Sequence, residues 1–161
     1  MIDVMPFSPA HADGVAALII QIQREEFGIQ ITLAEQPDLA DIPGFYQRDA
    51  GNFWVALHEN AVVGSIALLD IGNARGALRK MFVASNYRGR EHGTAQRLLH
   101  TLIDWSRARQ LEDIFLGTTA KFLAAHRFYE KNGFHEIARD ELPPNFPVMS
   151  VDTKFYCCSL T

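Results

Sequence analysis

The stretch from Met81 to Ala95 constrains this chain most. The apolar segment Met81-Phe82-Val83 runs into the basic, glycine-containing turn Tyr87-Arg88-Gly89-Arg90-Glu91-His92-Gly93, which opens a long amphipathic stretch at Thr94-Ala95. A strand that ends at a helix N-terminus gathers free backbone N–H groups and the positive end of the helix dipole at one point, which is what holding a phosphate requires. Neither G-x-x-x-x-G-K-[ST] nor G-x-G-x-x-G can be laid over residues 88 to 94, so the two common nucleotide loops are excluded. A different phosphate-bearing ligand, or a plain strand-to-helix connection, remains.

The elements around this junction follow from spacing. Ile2 to Phe7 alternates as a first strand, and Ser8-Pro9 offers an N-cap with proline at the first helical position. Val15, Leu18, Ile19 and Ile22 recur at helical spacing, giving a helix to about Phe27; a short helix is expected around Asp41 to Arg48. Phe53–His58 and Val62–Asp70 read as a hairpin about Glu59-Asn60, and a turn at Gly72-Asn73 leads to a strand from Ala77 to Val83. Leu98, Leu99, Leu102, Ile103 and Ser106 then mark a helix that should pack on the sheet. Asp113–Thr119 is a strand, Phe122–Lys131 a helix stopped by Asn132-Gly133, and Phe134–Ile137 a strand. After a proline-rich loop, a last strand runs from Val151 to Ser159. Strands that do not alternate strictly with helices imply a mixed α/β fold, expected as one domain over residues 1 to 161.

Bulk properties narrow the function. A net charge of −4 without a long Lys/Arg cluster argues against a nucleic-acid binder and favours cationic or neutral substrates. Adjacent Cys157 and Cys158 cannot staple distant segments, and no apolar run approaches the roughly 20 residues of a membrane span. A cytoplasmic protein without a membrane partner is the expectation. The histidines lack ligand spacing such as H-E-x-x-H, so no metal is expected.

Lys80-Met81-Phe82-Val83 entering Tyr87 to Ala95, followed downstream by Ala125-His126-Arg127-Phe128-Tyr129-Glu130-Lys131-Asn132-Gly133-Phe134, resembles the GNAT N-acetyltransferase superfamily. The resemblance is strong from about Asn52 to Ile137. It implies a mixed, mostly antiparallel sheet with splayed central strands and flanking helices, and acetyl-CoA as cosubstrate. It also implies transfer of an acetyl group to a primary amine of a small molecule, peptide or protein; whether the chain works as a monomer or homodimer is left open by the sequence. The family's loop, Gln or Arg, two residues, Gly, one residue, then Gly or Ala, falls on Arg88, Glu91 and Gly93, with Glu91 in place of the first motif glycine. The implied cofactor-binding set is Met81, Phe82, Val83, Arg88, Gly89, Arg90, Glu91, His92, Gly93, Thr94, Thr118, Thr119, Ala125 and Tyr129.

Tyr129 matches the family's general acid. On reference values a phenol is a weaker acid than a thiol by about 1.5 units, so complete transfer to the departing thiolate is uphill by about 2 kcal/mol, and a strong hydrogen bond can suffice. Many relatives place a glutamate in the central strand, where this chain has Ala77. Weakly basic amines, or a base recruited from Glu25, Glu26 or His126, would compensate. The rival reading is an acyl-CoA-binding module with a regulatory role, in which the chemistry is lost.

Overall fold

In the computed structural model, which describes residues 1–89, 93–120 and 123–161, the chain forms a seven-stranded sheet with helices on both faces. The strands are β1 (Asp3–Pro6), β2 (Asn52–His58), β3 (Ala61–Gly72), β4 (Arg75–Val83), β5 (Asp113–Thr118), β6 (His135–Ile137) and β7 (Lys154–Ser159). The helices are α1 (Ala12–Gln21), the short α2 (Pro37–Ala40) and α3 (Ile42–Phe45), α4 (Thr94–Ala108) and α5 (Leu123–Lys131). Strand order is β1-β2-β3-β4-β5-β7-β6. Only the β4–β5 pairing is parallel; every other neighbouring pair is antiparallel.

Glu59 and Asn60 both adopt positive φ, 50° and 68°. This is the geometry of a two-residue turn whose twist matches the strands it joins, and it sets the β2–β3 register. Period-two alternation then sorts β2. Phe53, Val55 and Leu57 pack with Val15 and Ile19 of α1 and with Leu39, Ile42 and Tyr46. Trp54 and Ala56 face the other way, against Leu98, Leu99 and Leu102 of α4. The apolar stripe of α4 is therefore buried as its spacing demands, and Ser106 Oγ is satisfied by the Leu102 carbonyl at 2.7 Å.

Three expectations need adjustment. The first helix winds regularly only to Gln21 and then widens into a π-turn, Ile22–Glu26, closed by the Phe27 N–H to the Ile22 carbonyl. The helix expected over Asp41–Arg48 is shortened to Ile42–Phe45, with Pro43 in its first turn and Asp41 as its cap through the Gly44 N–H at 3.0 Å, and a separate short helix started by Pro37 precedes it. The last strand begins at Lys154 rather than Val151, because Asp152 folds back to accept the Met149 N–H at 2.9 Å.

Candidate active site

The β4–β5 pairing is confined to Arg75–Ala77 against Asp113–Phe115. Beyond it the two strands part, and a cavity of about 670 Å³ opens between them. That volume falls within the range of small-molecule sites. Backbone pairing shows what the gap offers. The Ala84 N–H goes to the Val63 carbonyl on the β3 side at 2.8 Å, so strand alternation turns the N–H and carbonyl of Val83 the other way, into the splay. The Val83 carbonyl is occupied by the Arg88 Nε at 2.7 Å, and the Val83 N–H stays on the open side.

Most of the implied cofactor residues converge here. Met81, Phe82, Val83, Arg88, Thr118, Thr119, Ala125 and Tyr129 all line the cavity. Gly89, Gly93 and Thr94 sit at the turn into α4 and do not line it. Arg90, Glu91 and His92 lie outside the described residues. Gly93 holds a left-handed φ of 62° as N-cap of α4, a conformation that costs glycine nothing. The Thr94 hydroxyl, buried beside it, has no hydrogen-bond partner among the described residues.

Tyr129 is brought to the cavity by α5 and buried against Phe128, Phe134 and Tyr156. Burial pushes its phenol well above the ordinary tyrosine range, so it keeps its proton at neutral pH. Asn132-Gly133 ends α5 as expected, Gly133 having a φ of 92°.

The three base candidates are placed elsewhere. Glu26 is engaged by Arg88 in an ion pair at 2.6 Å. Glu25 is exposed and accepts from Gln21 at 3.2 Å. His126 is buried with its Nε2 at 2.8 Å from the Thr119 carbonyl. None of the three lines the cavity. Ala77 is fully buried beside Phe115. Among the described lining residues the one carboxylate is Asp152, packed over Gly117, where a Cβ would come within 2.6 Å of its Oδ2. Burial raises the Asp152 carboxyl above the usual carboxylate range. It comes from the loop that carries Phe146, Pro147 and Met149, which also line the cavity.

A buried polar cluster behind β4 was not foreseen. Lys80 donates to Gln36 at 2.8 Å and lies 3.5 Å from Asp38. The Tyr46 hydroxyl donates to the same carboxylate at 2.6 Å, and Gln23 and Gln36 exchange two amide hydrogen bonds. Lys80 itself has a φ of 52°, and its carbonyl accepts from Ser65 Oγ at 2.7 Å. The β3–β4 register slips between Ser65 and Ala67. This bulge breaks the alternation of side chains, so that consecutive Arg79 and Lys80 both line the cavity. Adjacent Arg79 and Lys80 within the otherwise apolar run Ala77–Val83 were the signal in the sequence.

Cys157 and Cys158 are buried and unpaired. Burial pushes the Cys157 thiol up to about 12 and raises that of Cys158, so neither supplies a thiolate. Among the described residues no His, Cys, Asp and Glu group could hold a metal ion, and no helix is long and apolar enough to cross a membrane.

Known proteins share this fold. An acetyltransferase of the GNAT family from Staphylococcus aureus Mu50 superposes with a TM-score of 0.94 at 36% identity, covering 100% of both chains. N-acetylglutamate synthase from Neisseria gonorrhoeae shares the fold, with a TM-score of 0.74 at 18% identity over 100% of this chain and 35% of that one. The N-acetylaspartate synthetase of Xenopus tropicalis is 39% identical over 108 residues, 65% of this chain. This chain spans 38% of that relative's length. The family model for Acetyltransferase (GNAT) family matches residues 17–134, and the chain belongs to that family.

Proposed function

We propose that this chain is an acetyl-CoA-dependent N-acetyltransferase, acting as one domain, that passes the acetyl group to a primary amine by direct attack. The observation that carries the reading is the splayed cavity with a buried, protonated Tyr129 in its wall and, among the described residues, no activated nucleophile beside it. The Staphylococcus aureus relative supports it by its family, and the gonococcal structure, described as complexed with coenzyme A, by its fold.

The residues present fit the cosubstrate. A phosphate needs main-chain donors and hydroxyls, and the start of α4 supplies first-turn N–H groups and the Thr94 hydroxyl, which has no partner among the described residues. Arg88, Gly89, Gly93 and Thr94, with Arg90, Glu91 and His92, would hold the diphosphate, while Met81 to Val83 with Thr118, Thr119 and Ala125 would hold the pantetheine arm. When bound, acetyl-CoA supplies an activated acetyl thioester. The Val83 N–H, facing the splay, would donate to the thioester carbonyl, and such a donor is worth most in a dry, preorganised site. Tyr129 would donate its phenolic proton in a hydrogen bond to the sulfur as the thiolate leaves. Asp152, raised by burial and lining the cavity, takes the part of proton acceptor for the amine. Glu26 would then serve to hold Arg88 in place.

Thermal stabilisation by acetyl-CoA, set against ATP and NAD, tests the reading. A hundredfold excess over Kd should add about 2.7 kcal/mol of apparent stability for acetyl-CoA alone. Stabilisation without coenzyme A release under any amine pool would instead favour a binding module.

A further inference from the structure

Among the described residues three basic side chains line the cavity, Arg79, Lys80 and Arg88, and two of them are paired within the protein: Lys80 with Asp38 and Arg88 with Glu26. Arg79 is not. Its guanidinium lies 5.8 Å from the centre of the Phe45 ring and 5.9 Å from that of Tyr46, with one nitrogen 3.5 Å from the Met149 sulfur. Among the described residues no carboxylate reaches it within ion-pair distance, although Asp152 feels its field. Cation–π contact with two rings restrains the guanidinium and leaves the N–H groups not turned to the Met149 sulfur available to a ligand. A half-buried cation in a largely apolar cavity is costly without an anionic partner, and the planar ligand that matches the fork two to two is a carboxylate.

From this we infer that the acetyl acceptor is an amino acid, whose carboxylate is received by Arg79 while its amine faces the thioester. The inference rests on the acetyltransferase reading above. Whole-chain charge, −4, favours a cationic acceptor, but charges beyond about 10 Å are screened in physiological salt, whereas those lining an apolar cavity are not. The guanidinium does a second thing. A cation close to the acceptor disfavours its ammonium form, so the residue that holds the carboxylate also shifts the amine toward the free base that attack requires.

The test is a steady-state comparison of L-aspartate, L-glutamate and glycine with their carboxamides and with putrescine, each at saturating acetyl-CoA. The free acids should be preferred, and Arg79→Gln should raise their KM by about 10- to 150-fold, as loss of a charged hydrogen-bond pair implies. Amide KM and acetyl-CoA KM should stay within about threefold on the same grounds. Arg79→Lys, which keeps the charge but not the fork, should fall between and guards against a folding defect in the glutamine variant. Acetylation of amides or putrescine as readily as of the acids, or equal losses for every amine in Arg79→Gln, overturns the inference while leaving the acetyltransferase reading intact. Release of no coenzyme A with any amine overturns that reading instead. In that event, calorimetric titration of these amino acids into the acetyl-CoA-loaded protein decides the inference: binding lost in Arg79→Gln supports it, and no binding contradicts it.

Discussion

Lys80 and Asp38 lie 3.5 Å apart with only 8% of each side chain exposed, joining the bulge of β4 to a short helix more than 40 residues earlier in the chain. The carboxylate also accepts the Tyr46 hydroxyl. Taking one partner away leaves the other charge buried and uncompensated, which costs about 3 to 5 kcal/mol. Lys80→Met and Asp38→Asn are each expected to lose stability on that scale in urea unfolding. The double variant should lose less than the sum by at least about 1 kcal/mol, and additive losses would show that the pair does not act as a unit.

Arg88 is bonded both to the Val83 carbonyl and to Glu26, with 43% and 34% of the two charged side chains exposed. An ion pair this open contributes about 0 to 1 kcal/mol. Glu26→Gln should therefore leave stability nearly unchanged, raise KM for acetyl-CoA a little and preserve kcat. Loss of a general base would lower kcat by about 100- to 10,000-fold, so steady-state rates with one good acceptor separate the two roles.

For Tyr129 the hydroxyl and the ring have separable duties. The ring packs against Phe134 and Tyr156, and Tyr129→Phe keeps it. Thermal stability and acetyl-CoA binding should be retained while kcat falls by about 100-fold or more, the usual cost of losing a positioned proton donor. An unchanged rate across the pH range would remove the phenol from the mechanism.

Asp152 carries a pH signature. Burial raises its folded-state pKa above the unfolded value. Its contribution therefore favours folding below the unfolded pKa and is lost as pH rises through the folded one. Against the wild type, Asp152→Asn should gain relative stability from acid toward neutral pH, and Tm measured along that series checks the sign. The same variant should lower kcat/KM most for strongly basic acceptors. Asp152→Asn losing stability relative to the wild type on going from acid to neutral pH would contradict the burial argument.

How far the sequence reached is set by range. The Glu59-Asn60 turn, the α4 stripe and the Asn132-Gly133 stop are local signals, and each is realised. The splay at β4–β5 and Tyr129 on its wall came through the family motifs, and the structure brings them together. What escaped is non-local. Nothing near Asp38 announces that it will meet Lys80, because a proline-started turn brings it there. Asp152 reaches the cavity through a chain reversal in a loop without periodicity. Adjacent residues of a regular strand face opposite sides, and the bulge at Lys80 puts Arg79 and Lys80 on one wall.

The central claim is that the acetyl group passes through this cavity to an amine. Incubation of the protein with acetyl-CoA and an amino acid, with coenzyme A and N-acetyl product quantified together by mass spectrometry, tests it most directly. Matched, one-to-one appearance of both, suppressed in Tyr129→Phe, is the expected result. Coenzyme A without acetylated amine, or neither product from any acceptor, would contradict it.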